Sequence, residues 1–176
     1  MFRIAEGLRG WLVAMLLLTP SLVCAAAQDT QQPQPITIEA DKAKVDEKQG
    51  LSIYSGHVVL QQGGIQIHGD QLMVYSHKGT LDKLVATGKP VVYSQKGETN
   101  ATDITGEAER MEYYASQNQL ILLESAKLSQ GPNQFSGNRI TYDTQRHVVS
   151  ATVSETGKER VQVTIQPKKQ NDSNNK

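Results

Sequence analysis

The feature that most constrains this chain is a recurring step of two residues, a small residue followed by Asp, Glu or Asn. The step occurs at Ala40-Asp41, Gly69-Asp70, Ala108-Glu109 and Gly137-Asn138. An apolar residue follows each small residue after three positions and another after five: Ala43 and Val45, Leu72 and Val74, Met111 and Tyr113, Ile140 and Tyr142. Successive steps are 29, 39 and 29 residues apart. A period of this length indicates stacked repeats, each burying its apolar face against the next.

At each step the apolar residues change from one face of the strand to the other. Ile65 and Ile67 are odd-numbered before Gly69, whereas Leu72 and Val74 are even-numbered after it. Because side chains alternate strictly along a strand, the switch requires a bulge or a corner, and a small residue tolerates one. We therefore expect each repeat to bend here and to pass from one sheet into another. The third repeat fits less well, because a glycine at position 106 replaces an apolar residue.

Short runs rich in Val, Ile, Thr and Tyr fill the rest of the chain, with glycine turns between them and no convincing amphipathic helix. The predicted fold is all-β, with four repeats of about two rungs each stacked into two sheets around an apolar space. A hairpin turn over residues 61–64 would place Val58 opposite Ile67 and Leu60 opposite Ile65. His57 would then face His68, but two imidazoles without a third ligand do not predict a metal site.

The N-terminus is typical of a secretory signal. Arg3 and Arg9 form a positive segment before a short apolar core, and residues 25–27 are three alanines that suit cleavage. The alternatives are an uncleaved anchor, although the apolar run is shorter than the roughly 20 residues of a membrane span, and a lipoprotein anchor at Cys24, which matches a lipobox poorly. The predicted organisation is a signal peptide at 1–27, a flexible leader at 28–34, a β-domain at 35–167 and a disordered tail at 168–176.

Composition excludes several classes of function. Removal of the signal leaves 16 basic and 17 acidic residues and no cysteine, which argues against a nucleic-acid partner and against a disulfide. Nucleophile elbows, phosphate-binding glycine loops and zinc-type spacings are absent from the sequence. No catalytic residue, metal or cofactor is therefore predicted. Asp41, Asp70 and Glu109 recur with the repeat, which favours a structural role in binding N–H groups of the bend.

Several segments together carry a family resemblance. They are Gln34 to Asp41, Tyr54 to Gly63, Ile67-His68-Gly69-Asp70 and Gly88-Lys89-Pro90. In order and spacing they resemble the OstA-like family, and within it the periplasmic bridge proteins of lipopolysaccharide transport in Gram-negative bacteria. The similarity spans roughly residues 34–167. Tyrosine stands at position 93, where phenylalanine is expected in the best-known members, and a hydroxyl there suits a groove that is partly wet.

The resemblance implies a twisted antiparallel β-jellyroll, opened into a V, in the periplasm. It implies a non-enzymatic protein whose apolar interior receives the acyl chains of lipid A and passes lipopolysaccharide from the inner to the outer membrane. Its implied partners are a single-span inner-membrane protein of similar fold, the periplasmic domain of an outer-membrane barrel, and further copies of the chain stacked head to tail by strand addition.

Two sets of residues are assigned on these grounds. The predicted lipid-binding groove consists of Ile36, Ile38, Tyr54, Val58, Ile67, Val74, Tyr93, Met111, Tyr113, Phe135 and Tyr142. The predicted oligomer edges consist of Ile36, Thr37, Ile38, Glu39, Val161, Val163 and Ile165, because unpaired terminal strands invite pairing with another chain.

Two other functions stay open at the level of the residues. The first is a structural or adhesive β-repeat protein, in which the same apolar residues form a filled core. The second is an envelope glycan hydrolase, which would need a pair of carboxylates on one open face, with Asp41 and Asp70 as candidates.

Overall fold

The computed structural model describes residues 34–97, 99, 102–153 and 160–167. The predicted signal peptide, residues 28–33 of the predicted leader and the predicted tail lie outside these residues. Within the described part of the chain, no helix combines the length and the apolar character that a membrane span requires.

In the described residues, ten strands form one antiparallel sheet in the order β1-β3-β4-β5-β6-β7-β8-β10, with β2 also paired to β3 and β9 also paired to β8. The strands are β1 Thr37–Glu39, β2 Lys42–Asp46, β3 Leu51–Gln62, β4 Ile65–His77, β5 Thr80–Gln95, β6 Ile104–Tyr114, β7 Gln119–Gln130, β8 Asn133–Asp143, β9 Val148–Thr152 and β10 Gln162–Thr164. A short 3-10 turn, Ala115–Gln117, follows β6. The all-β prediction is confirmed.

Over the part of the chain that the structure describes, the sheet has eight rungs. The short strands β1 and β2 lie end to end along two halves of β3, and β10 and β9 lie end to end along two halves of β8. Each end of the sheet is therefore one rung made of two short strands, and β3 to β8 are six long rungs between them. The four repeats of about two rungs each that the sequence predicts give the same number.

A line of corners crosses the sheet where every ladder between long strands shifts register. On β4, β6 and β8 the unpaired residue is the one that follows the small residue, namely Asp70, Glu109 and Asn138. In the first rung, the break between β1 and β2 falls at Ala40 and Asp41. One extra residue exchanges the two faces of a strand. The bend predicted at each recurring step is confirmed.

The strands between these, β3, β5 and β7, bend on the same line, but each leaves two or three residues unpaired instead of one. The repeat in the sequence did not predict these longer bends. On β3 the bend uses Gly56 and His57, with φ of 83° and 43°; on β7 it uses Glu124 and Ser125, with φ of 65° and 55°. On β5 it uses residues 88–90. Only Gly56 adopts its left-handed conformation freely, so the other three are held there by their surroundings.

The corner line divides the sheet into two half-sheets. Half-sheet 1 contains β1, β10 and residues 58–62, 65–69, 91–95, 104–108, 126–130 and 133–137. Half-sheet 2 contains β2, β9 and residues 51–55, 71–77, 80–87, 110–114, 119–123 and 139–143.

The half-sheets pack face to face around one apolar core. Its fully buried members from half-sheet 2 include Leu72, Met111, Leu122 and Ile140. The two half-sheets are in close contact at Gly106 of half-sheet 1, where an added Cβ would lie 2.9 Å from Cδ1 of Leu122. The glycine that weakened the third repeat is therefore explained by the leucine that fills its place.

One predicted pairing is wrong by two residues. The turn between β3 and β4 consists of Gly63 and Gly64 alone, and Gly63 has a φ of 55°, which permits a two-residue turn. β3 consequently runs two residues further than predicted, so Leu60 faces Ile67 and Val58 faces Gly69.

The same shift separates the two histidines that the sequence placed opposite each other. His68 pairs with Val59, whereas His57 lies in the corner bulge of β3.

Candidate functional site

The candidate site is the apolar interior between the half-sheets. A row of paired residues crosses the inner face of half-sheet 1 from one edge to the other: Ile38, Leu60, Ile67, Tyr93, Gly106, Leu128, Phe135 and Val163. A matching row crosses half-sheet 2: Val45, Ser52, Val74, Leu84, Tyr113, Leu120, Tyr142 and Val149. Ser52 is the one polar member that is not a tyrosine. The interior therefore offers a nearly unbroken apolar path between the two ends of the sheet.

Ten of the eleven residues predicted for the groove belong to this one cluster. The buried ones are Val58, Ile67, Tyr93, Met111 and Tyr142, and the partly buried ones are Ile38, Tyr54, Val74, Tyr113 and Phe135. Ile36 directly precedes β1 and is 42% exposed. The structure thus brings the set together, and its role in binding lipid stays a prediction.

The interior opens at a mouth on the side opposite the corner line. A pocket of about 200 Å³ lies there between the turn ends of the two half-sheets. Half-sheet 1 contributes Leu60, Gln62, Ile65, Ile67, Tyr93 and Gln95, and half-sheet 2 with the turn that follows β8 contributes Leu81, Leu84, Tyr113, Leu120 and Thr144. Its depth is apolar, and amide and hydroxyl groups lie at its rim.

None of the four leucines that line the mouth belongs to the groove assigned from the sequence. They are Leu60, Leu81, Leu84 and Leu120. Leu84 and Leu120 alternate at two-residue spacing with other inward residues on β5 and β7. This sequence signal can be recognised once the corner positions on these strands are known.

Two of the tyrosines in this interior have hydroxyl groups with hydrogen-bond partners. The Tyr93 hydroxyl donates a hydrogen bond to Oε1 of Gln95 at 2.8 Å, and the Tyr142 hydroxyl lies 2.9 Å from Nδ1 of His147. Burial raises the pKa of the Tyr93 phenol, and it also raises the pKa of Tyr142. Both phenols therefore stay neutral, and each can donate a hydrogen bond.

The outer face of half-sheet 2 carries a compact ionic network centred on Glu112. Its carboxylate lies 3.0 Å from Nζ of Lys83 and 2.6 Å from a guanidinium nitrogen of Arg110, and it accepts a hydrogen bond from the Tyr114 hydroxyl at 2.7 Å. Burial alone would raise the pKa of Glu112, but the bonds from Tyr114, Lys83 and Arg110 outweigh it and lower the pKa to about 2. These groups face away from the mouth and fasten β5 to β6.

The acids at the corners, Asp41, Asp70 and Glu109, are exposed and lie on the side opposite the mouth. Asp41 bonds the side chain of His57 at 2.9 Å, so its expected role of binding N–H groups of the bend is wrong. Within residues 34–97, 99, 102–153 and 160–167, no group of three or more His, Cys, Asp or Glu side chains is arranged to hold a metal ion.

Both ends of the sheet present strands with one neighbour. In the described chain β1 pairs with β3 alone and β10 with β8 alone. The predicted edge residues Thr37, Ile38 and Glu39 form β1, whereas Val163 lies in β10 and is 47% exposed. Ile36, Val161 and Ile165 flank these strands. Apolar side chains and unpaired backbone groups are therefore exposed together at each edge.

These features define a class of protein, an open-ended β-jellyroll with an apolar interior and two free edges. The family described as LptA/(LptD N-terminal domain) LPS transport protein matches residues 37–148. The chain belongs to this family.

Individual relatives agree. The lipopolysaccharide export system protein LptH of Pseudomonas aeruginosa is 35% identical over 152 residues, covering 82% of this chain and 86% of that protein. LptA of Escherichia coli K12 is 31% identical over 167 residues, covering 92% and 89%. The crystal structure of P. aeruginosa LptH, described as the LptA-homologous periplasmic component of the lipopolysaccharide transport device, matches with a TM-score of 0.70 at 34% identity, covering 76% of this chain and 96% of that one. The predicted family, its jellyroll fold and its periplasmic transport class are confirmed.

Proposed function

We propose that this protein is a non-enzymatic bridge that carries lipopolysaccharide across the periplasm with the acyl chains of lipid A between its half-sheets. The observation that supports the proposal best is the pair of apolar rows running from β1 and β2 at one edge to β10 and β9 at the other. A row that reaches both edges can join the row of a neighbouring molecule, whereas a core closed at its ends could not.

The free energy of exposing lipid explains why such a path is needed. Each methylene group exposed to water costs about 0.8 kcal/mol, so a chain of twelve carbons costs on the order of 9 kcal/mol. A lipid with several chains therefore needs continuous cover across an aqueous compartment. A uniform apolar lining provides cover without fixing the chains at one position.

The interior must widen to accept a chain. The mouth pocket of about 200 Å³ is smaller than the roughly 300–1,000 Å³ of typical ligand pockets. The two half-sheets are joined along the corner line and have separate turns at the mouth. We expect them to separate at the mouth while the corner line stays paired.

Copies of the chain stack end to end in this proposal. Neighbouring strands are antiparallel throughout the sheet, and continuing that alternation sets β10 of one copy against β1 of the next. The register that keeps the inner row continuous places Val163 beside Ile38. In half-sheet 2 the same continuation places Val149 beside Val45, which is 58% exposed.

The same edges would serve the two membrane partners. A single-span inner-membrane protein of similar fold would add its terminal strand at one end, and the periplasmic domain of an outer-membrane barrel would do so at the other. Backbone pairing requires only a complementary edge, and apolar inner rows on both partners would continue the path.

Photo-crosslinking in living cells tests the proposal. A crosslinking residue at Ile36 or Tyr113 is expected to capture lipopolysaccharide. The matched control is Gln66, which neighbours inward Ile67 on β4 but is exposed on the outer face, and it is expected to capture none. Silence at both inner positions, with normal amounts of protein, would contradict the lipid role and favour a filled structural core.

A further inference from the structure

We infer that Tyr93 and Gln95 at the mouth select acyl chains that carry a hydroxyl group near their polar end. The inference rests on the proposed function, because it assumes that acyl chains enter between the half-sheets. It adds a determinant of specificity to a groove that is otherwise largely apolar.

The two side chains are placed where an entering chain must pass. Tyr93 and Gln95 face inward from the last residues of β5, and both line the mouth pocket. Tyr93 is only 4% exposed, and its hydroxyl is held by Oε1 of Gln95 at 2.8 Å. This bond fixes a polar pair among the leucines and isoleucines of the same pocket.

The pair has hydrogen-bonding capacity to spare. A phenol that donates its proton keeps lone pairs on its oxygen, and an amide that accepts at its oxygen keeps two N–H donors. A ligand hydroxyl can therefore donate to the Tyr93 oxygen and accept from the Gln95 amide. The high pKa of the buried phenol keeps it in its neutral form throughout.

Burial of the chain's hydroxyl group elsewhere in the apolar interior is unfavourable. A hydroxyl buried in an apolar pocket without a partner loses its bonds to water and gains nothing in return. A chain without the hydroxyl leaves the bond between Tyr93 and Gln95 undisturbed. The pair is thus expected to favour the hydroxylated chain and to tolerate the plain one.

The depth of the pair fixes where on the chain the hydroxyl lies. The backbone of Tyr93 is two residues from the end of β5, which at about 3.3 Å per residue is roughly 7 Å below the rim, and Gln95, which binds the Tyr93 hydroxyl, is the last residue of the strand. If the polar end of the lipid stays at the rim, the hydroxyl belongs within the first several carbons.

A matched set of fatty acids tests this, by displacement of a fluorescent fatty acid from the purified exported chain. 3-Hydroxydodecanoic acid is expected to bind about 3- to 10-fold more tightly than dodecanoic acid, the range that one net hydrogen bond supplies. 12-Hydroxydodecanoic acid, with its hydroxyl at the far end, is expected to show no such advantage. Tyr93→Phe and Gln95→Met should each reduce the ratio of the first two affinities to near one, because the hydroxyl of 3-hydroxydodecanoic acid loses a partner.

Two variants control for general effects at the mouth. Tyr113→Phe removes a phenol from the same pocket, and Gln62→Met removes an amide that is bonded instead to the carbonyl oxygen of Gln34 at 3.0 Å. Both should retain the preference. Equal affinities in the unaltered protein, a preference that survives Tyr93→Phe, or its equal loss in Tyr113→Phe would overturn the inference while leaving the groove standing. Failure of all three acids to bind would overturn it together with the proposed function.

Discussion

The Nδ1 atom of His57 lies 2.9 Å from Oδ2 of Asp41, and this contact ties the first rung to the corner of the second. The backbone N–H of Asp41 also donates to the carbonyl oxygen of Gly56 at 3.0 Å. Asp41 follows the break between β1 and β2, so the pair holds the edge rung where its two short strands part. The recurring acid of the first repeat thus acts through a histidine of the next strand.

The first prediction concerns the pH dependence of this contact. The hydrogen bond and the charge of Asp41 raise the pKa of His57, and Asp70 adds a smaller effect. A raised folded pKa means that the contact stabilises the fold fully below the ordinary histidine pKa and ceases to do so as pH rises through the raised value. In an NMR titration, Asp41→Asn should lower the His57 pKa clearly and Asp70→Asn only slightly. A larger effect of Asp70→Asn would contradict the assignment.

The second prediction concerns the Glu112 network. The Glu112 side chain is 12% exposed and contacts two cations, so Glu112→Gln leaves Lys83 and Arg110 without their counter-ion. The expected loss in the free energy of unfolding is about 1–3 kcal/mol at neutral pH. Urea denaturation measures it, and Glu109→Gln at an exposed corner should change stability by less than about 0.5 kcal/mol.

The same variant has a pH signature. Because the folded pKa of Glu112 is lowered from 4.5 to about 2, its contribution is present above its ordinary pKa and is lost as pH falls towards the folded value. The difference in stability between the two proteins should therefore shrink between pH 4.5 and pH 2. A difference that stays constant over this range would show that the charge of Glu112 does not carry the effect.

The corners show how far the sequence alone can lead. A small residue followed by a short polar one, with a change of apolar parity, predicts the bends at Gly69, Ala108 and Gly137, because one extra residue must exchange the faces. The bend at Glu124 and Ser125 has no such signal, since their positive φ angles are imposed by the neighbouring rungs. The register of β3 and β4 was missed because Gln61 and Gln62 read as turn residues, although the two glycines suffice.

The groove also combines features that the sequence predicts with features that it does not. Alternation along each strand placed most inward residues correctly, since a half-buried strand must be apolar on one face. The contact of Gly106 with Leu122 joins residues on opposite half-sheets, and no local pattern reports which side chain fills a gap across the core. The bond between Tyr93 and Gln95 likewise depends on side-chain direction at the rim.

The third prediction uses that contact across the core. Gly106→Val would drive its side chain into Leu122, which is 1% exposed, and is expected to lower the free energy of unfolding by about 1–3 kcal/mol. In a double-mutant cycle with Leu122→Ala, the second substitution should cost less in the valine background, because the cavity accepts the added methyl groups. If the effects of the two substitutions on the free energy of unfolding are additive, the strain from Gly106→Val does not arise at Leu122.

Gly64→Ala is the matched control for this series. An added Cβ there would lie 3.4 Å from Cβ of Lys96 at the exposed turn, so little movement is required. Chemical denaturation should show a change within about 0.5 kcal/mol.

The final prediction concerns the register between stacked copies. If β10 continues the antiparallel sheet into β1 of the next molecule, Val163 and Ile38 become directly paired, with Cα atoms about 4.5–5.5 Å apart. This separation suits a disulfide. The exported chain carrying Ile38→Cys and Val163→Cys should therefore form a ladder of covalent oligomers on a non-reducing gel. The matched control, Thr37→Cys with Val163→Cys, is one residue out of register and directs the two thiols to opposite faces, so it should give little ladder. Equal ladders from both pairs would show that the ends meet without a fixed register, and no ladder from either would exclude strand addition between β10 and β1.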